Sequence, residues 1–215
     1  MQTIHYGTYE FVTFHNGYWK MALCKQAKTL TKVQVDTLLL HVSSGRNGVR
    51  NRVIALLSVR AGLRAKEIAH LTWSMVLNSD GTLADEIALQ DCAAKGSSGR
   101  TVPMARDLKA AMMAWKNEVG AVDHKMRIIT TERASATSAQ AIVNMFADWY
   151  RSLGFSGCSS HSGRRTFITN AARKISTVGG SLRDVQSLAG HSSLTTTQRY
   201  IEVNAEAKRR VVEIS

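Results

Sequence analysis

Leu188-Ala189-Gly190-His191-Ser192-Ser193-Leu194-Thr195-Thr196-Thr197-Gln198-Arg199-Tyr200 reads as one helix ending, a tight turn, and a second helix beginning. Gly190 is the stop signal, because glycine adopts the left-handed backbone that closes a helix without a steric penalty. Ser192 or Ser193 caps the next helix, expected over 192–202. His191 sits in the turn, and Tyr200 follows it by nine residues. A lone tyrosine on a helix is ordinarily half-buried structure, so this stretch takes its meaning from what lies upstream.

Working outward, His161-Ser162-Gly163-Arg164-Arg165 opens another helix behind the capping residues Ser159-Ser160. His161 and Arg164, three apart, share a helical face, while Phe167, Ile168, Ala171, Ala172 and Ile175 form the core face. A helix N-terminus with a histidine and an arginine suits a phosphate, and equally a basic surface. Further back, Ala93-Ala94-Lys95-Gly96-Ser97-Ser98-Gly99-Arg100 is a glycine-flanked hairpin tip. Its Lys95 either swings toward a phosphate or decorates a solvated turn. The G-x-x-x-x-G-K-[ST] pattern of a nucleotide-binding loop is missing. In Gly62-Leu63-Arg64-Ala65-Lys66-Glu67-Ile68-Ala69-His70-Leu71-Thr72-Trp73, Arg64 opens a short helix after a glycine turn. Ile68 and Leu71 face the core, and Glu67 reaches the Arg64 face as an ordinary surface ion pair would.

Between these stretches the pattern is mostly helical. Thr29 or Thr31 caps a helix to about Val42 with Val33, Leu38 and Leu39 as its apolar face. A second helix starts at Asn47 or Gly48 and runs to Gly62, followed by a short one over about 65–71. Helices are also expected at 105–118, 137–153 (core stripe Ile142, Val143, Phe146, Trp149), 161–176, 181–189 and 204–214. Met75–Leu77, Glu86–Leu89 and Thr101–Pro103 are β-prone runs separated by Asp80-Gly81 and the glycine-rich tip, predicting a three-stranded antiparallel sheet. Residues 1–28 crowd Tyr6, Tyr9, Phe11, Phe14, Tyr18 and Trp19 into a short stretch that reads equally as a hairpin or ordered arm and as a poorly ordered leader. The expected class is mainly α with a small β-sheet (α+β), with residues 29–215 as one domain and 1–28 as an appendage.

Lys and Arg total 28 against 16 Asp and Glu, a net charge of +12. That excess points to a polyanionic partner, DNA or RNA first. The three cysteines, Cys24, Cys92 and Cys158, are far apart and form no C-x-x-C, which disfavours a disulfide framework or a cysteine zinc site. No signal sequence and no apolar run of membrane-spanning length is visible, so the expectation is a cytoplasmic chain with no membrane association. No His/Asp/Glu cluster has metal-ligand spacing.

Each feature is ordinary alone; their order and spacing are not. Together they resemble the tyrosine recombinase (phage integrase) family. Its motifs are an arginine in a G-L-R-x-x-E-x-x-x-L-x-W box, a hairpin lysine, an H-x-x-R box, a G-H box, and a tyrosine shortly after. Arg64 and Glu67 match the first box, Lys95 the hairpin lysine ahead of Arg100-Thr101-Val102-Pro103, His161 and Arg164 the second, His191 the third, and Tyr200 the nucleophile. Gly163 departs mildly, standing where the family often has leucine. The family's helical core-binding domain of about a hundred residues, ordinary small-domain size, has only residues 1–28 to match it.

The resemblance implies a site-specific DNA strand transferase that passes through a 3′-phosphotyrosine bond with a free 5′-hydroxyl, needing neither metal nor ATP. Arg64 and Arg164 would bind the non-bridging oxygens with rigid guanidinium forks. Tyr200 would attack, His161 would take its proton, His191 would donate to the phosphate, and Lys95 would protonate the leaving oxygen. Glu67 would orient the first-arginine region or His161. The implied partner is double-stranded DNA, with four identical subunits on two duplexes. A type IB topoisomerase shares this chemistry, and a non-catalytic DNA-binding protein could keep the fold.

Overall fold

The computed structural model describes residues 27–90, 99–131 and 134–200 in full, and within residues 1–26 the backbone pairing of three short strands. Those strands, β1 (Ile4–Tyr6), β2 (Tyr9–Thr13) and β3 (Trp19–Ala22), form an antiparallel sheet in sequence order. Phe11 lies in register with both Ile4 and Met21. The aromatic, β-branched composition that suggested a hairpin thus extends to a third strand.

Eight helices follow among the described residues: α1 (Lys32–Ser43), α2 (Gly48–Ala61), α3 (Ala65–His70), α4 (Arg106–Val119), α5 (Ala139–Ser152), α6 (Ser162–Lys174), α7 (Leu182–Ala189) and α8 (Leu194–Gln198). Caps set their starts. Thr31 Oγ1 accepts from Gln34 N at 3.2 Å while the Gln34 side chain accepts from Thr31 N, and Ser138 Oγ accepts from Ala141 N. The expected helical segments up to Gly190 are present within a few residues. The last described helix is shorter than expected: α8 ends at Gln198 and Tyr200 lies in the turn that follows. The segment 204–214 lies outside the described residues.

The sheet expected over 75–104 has two strands, not three. β4 (Glu86–Leu89) pairs antiparallel with β5 (Arg100–Pro103), Leu89 opposite Arg100. Met75 instead lies in a 3-10 turn, Trp73–Met75, and Leu77 makes a single bridge to Leu83. The reason is local. Thr82 donates through its backbone N–H and its hydroxyl to Asp80 Oδ1, closing a tight turn. Too few residues are left between Leu77 and Leu83 for a ladder.

The core is built on α2, which packs against α1, α4 and α6, while α3 packs against α5. Val53, Ile54, Leu56 and Leu57 are fully buried between them, with Leu38 and Val42 from α1 and Ile142 and Phe146 from α5. Val33, expected in the core, is 73% exposed; Val35 takes the buried place. A second, smaller cluster of Ile168, Val185 and Ala189 joins α6 to α7, and Tyr200 packs against it. No helix among the described residues is long and apolar enough to cross a membrane.

Candidate active site

Two glycine-terminated helices converge on one arginine. Gly62 ends α2 with φ 64° and Gly190 ends α7 with φ 58°, both left-handed. Arg164, on the first turn of α6 and 5% exposed, donates at 2.6 Å to the Gly62 carbonyl and at 2.6 Å to the Ala189 carbonyl. Helix C-terminal carbonyls carry partial negative charge, so they hold a buried guanidinium without a carboxylate. Burial and the nearby Arg64 charge lower the Arg164 pKa to about 10, which leaves it charged at neutral pH.

Arg64 is the N-cap residue of α3, between Gly62 and Glu67. Its backbone N–H donates to Glu67 Oε2 at 2.8 Å and its guanidinium to Glu67 Oε1 at 2.7 Å. A longer contact, 3.5 Å, reaches the Gly190 carbonyl. Glu67 is not the surface partner expected from its spacing: it is 1% exposed. Burial would raise its pKa, but hydrogen bonds and charge from Arg100, then from Arg64, hold it at about 2.

Arg100 is the residue that the sequence reading left out of the site. It is 5% exposed and grips both Glu67 oxygens, at 2.9 and 3.1 Å, while its Nε donates to the Leu188 carbonyl at 2.9 Å. Its only sequence signal was its place beside the hairpin lysine. Arg64 and Arg100 thus share one carboxylate, and Arg164, held by carbonyls, is close enough to feel the charge of all three. Such a group is electrostatically incomplete and favours an anion.

His161 stands at the N-cap of α6, exposed rather than sharing the buried face of Arg164. Partial burial, then the Arg164 and Arg64 charges, lower its pKa. His191 follows Gly190 and is half-buried, with Nδ1 2.9 Å from Thr197 Oγ1. Desolvation, then Arg164, Arg64 and Arg100, pull its pKa to about 4, so it is neutral near pH 7. Its ring stacks on that of Tyr200, which is half-buried. A cleft of about 370 Å³ opens here, lined by Gly99, Arg100, Arg183, Gln186, Gly190 and His191. The structure thus brings together Arg64, Glu67, His161, Arg164, His191 and Tyr200; Lys95 lies outside the described residues. Gly163 has a packing reason. A side chain there would begin 2.2 Å from Ser58 Oγ, because α6 and α2 are in close contact.

Residues 28–207 match the model of the phage integrase family. The chain belongs to that family. Among its relatives is tyrosine recombinase XerC of Haemophilus influenzae (strain PittEE), 31% identical over 186 residues that cover 84% of this chain and 59% of that protein. The crystal structure of XerA recombinase superposes with a TM-score of 0.67 at 23% identity, covering 85% of this chain and 63% of the other. The crystal structure of XerH recombinase bound to its difH substrate gives 0.67 at 20% identity, covering 90% and 55%. These two likenesses show that the chain shares the fold of those recombinases. The chain spans roughly three fifths of the length of the XerC it matches.

Proposed function

We propose that this protein is a site-specific DNA recombinase that cuts and rejoins strands through a 3′-phosphotyrosine. The observation that carries the reading is the pair of arginines on one buried carboxylate, with Arg164 held by helix-end carbonyls beside them, next to the stacked His191–Tyr200 pair. Arg64 and Arg164 take the non-bridging oxygens of the scissile phosphate, where charge accumulates in transfer. The Tyr200 oxygen attacks phosphorus and forms the P–O bond as the P–O5′ bond breaks. The phenol proton passes to His161, and the departing O5′ takes a proton from Lys95. His191 is neutral; if Nδ1 accepts from the Thr197 hydroxyl, Nε2 carries the hydrogen and donates to the phosphate. Glu67 orients Arg64. The energy of the broken bond is kept in the phosphotyrosine, so reversal onto another 5′-hydroxyl needs neither ATP nor a metal.

The net charge of +12 supports double-stranded DNA as the substrate. XerH is bound to difH in its crystal structure, and this chain is read as binding a duplex with the same fold. Residues 29–215 serve as the catalytic domain and 1–28 as an arm, with four subunits on two duplexes.

A pool of nicked suicide duplexes with randomised arms tests the function. The protein is expected to form SDS-resistant adducts with a subset of sequences, attached through Tyr200 by peptide mass spectrometry. Binding without any adduct would favour a non-catalytic DNA-binding protein instead. Adducts formed without sequence enrichment would point to a topoisomerase.

A further inference from the structure

The Arg100 side chain is only 5% exposed although it lines the cleft, and nothing in the proposed chemistry uses it. It occupies the first rung of β5, and its guanidinium spans from Glu67 on α3 to the Leu188 carbonyl in the last turn of α7. It also lies against Gly190, where an added Cβ would sit 2.8 Å from its Nη1. Burying an arginine this deeply is unfavourable unless its fork is well satisfied, and here each of its three nitrogens donates a hydrogen bond.

We propose that Arg100 is a positioning residue that acts through Glu67 to keep the charge of Arg64 available to a phosphate. The reasoning is charge balance. Glu67 Oε1 accepts from both Arg64 and Arg100, and Oε2 accepts from the Arg64 backbone and from Arg100. With Arg64 as its sole partner, the carboxylate would cancel the Arg64 charge beside the site. With Arg100 sharing it, the trio keeps a net charge of +1, and Arg64, the more exposed arginine at 23%, faces the substrate side. The bond to Leu188 also ties this trio to the helix end that presents Ala189 to Arg164 and His191 to Tyr200. Arg100 need not touch DNA to do this.

The inference rests on the recombinase reading, and the experiment separates the two. Cleavage is measured at saturating DNA on a nicked duplex captured by the wild-type protein, and on the same duplex with a methylphosphonate at the scissile position. The methyl group removes one non-bridging oxygen and its charge. Arg100→Ala is expected to lose roughly 10²–10³-fold on the phosphodiester, the scale for losing one preorganised donor. On the methylphosphonate its loss relative to wild type should shrink to within about tenfold, because the charge that Arg64 must meet is gone. Arg100→Lys, which keeps the charge and loses the fork, should recover part of the phosphodiester rate. Equal losses on both substrates, or no loss on either, would overturn the proposal. If Arg100→Ala does not fold, Arg100→Lys is read on the same pair of substrates. Failure of both to fold would make Arg100 purely structural and overturn it as well. A wild-type protein that forms no adduct on any duplex would defeat the recombinase reading itself, a result distinct from these.

Discussion

The Tyr200 ring lies against the His191 ring, with centroids 5.5 Å apart and planes 24° apart. The two residues come from either end of α8, and Thr197 ties them. Its hydroxyl meets His191 Nδ1, and its carbonyl accepts from Tyr200 N–H at 3.0 Å. The stack holds the tyrosine ring by its face and leaves the phenolic oxygen as the part that chemistry can use.

Tyr200→Phe preserves that face and removes only the oxygen. The variant is expected to melt within a degree or two of wild type, since stacking and the contact with the α6–α7 cluster survive. It should bind a captured duplex with unchanged affinity and form no covalent adduct. An adduct from the phenylalanine variant would exclude Tyr200 as nucleophile. Tyr150 is a poor substitute: it is 2% exposed, stacked between Phe146 and Phe155, and burial raises its pKa further from neutrality.

Gly62→Ala should damage stability and phosphate binding together. The left-handed backbone costs an alanine about 1–2 kcal/mol. The new Cβ would also sit 2.4 Å from a Phe167 ring carbon, adding about 1–3 kcal/mol of overpacking. The same glycine supplies a carbonyl that holds Arg164. Thermal melts should show the combined loss, and salt titrations of DNA binding should show a shallower slope than wild type. A variant with wild-type melting and slope would mean that Gly62 can move without disturbing Arg164.

Much of this was legible in the sequence because it is written locally. The helix boundaries at Gly62 and Gly190 follow from backbone chemistry within a few residues, and so does the cap at Thr31. Order and spacing brought out Arg64, His161, Arg164, His191 and Tyr200. What was lost is tertiary. Glu67 looked like a surface partner because i,i+3 spacing says nothing of depth, and its burial depends on Arg100, 33 residues away. Arg164 is held by carbonyls, and a carbonyl has no residue identity to read. The third strand failed because an aspartate-centred turn consumed the residues that it needed. Val33 failed because alternation of apolar residues at the start of α1 does not say which of them faces inward.

Glu67→Gln keeps shape and removes charge. It leaves Arg100, 5% exposed, without its counter-charge, and breaking a buried ionic network from one side costs about 3–5 kcal/mol. Denaturant unfolding should report that loss at pH 7. The wild-type carboxyl ionises near 2 when folded against 4.5 when unfolded, so its contribution is present above about 4.5 and lost as pH falls toward 2. The difference between the two proteins should therefore narrow below pH 4.5. A constant difference down to pH 2.5 would show that the lost stability comes from shape and not from charge.

His191 provides the complementary pH window. Unfolded, it takes up a proton near 6.5; folded, where burial and then three nearby arginines oppose the charge, only near 4. Between those values the unfolded chain binds more protons than the folded one, so stability falls as pH drops from about 6.5 toward 4 and is independent of this group above about 7. His191→Gln cannot titrate. Urea unfolding of both proteins from pH 4 to 8 should give curves that run parallel above pH 7. Below it, wild type should lose stability more steeply, with a residual slope in the variant because the His161 pKa is lowered in the same direction. Equal slopes would mean that His191 protonates freely in the folded protein. Its ring would then be charged in acid, and adding a substrate phosphate should favour that charged form. The same variant should keep the Tyr200 adduct at a reduced rate, since glutamine still offers an N–H but lacks the ring on which Tyr200 stacks.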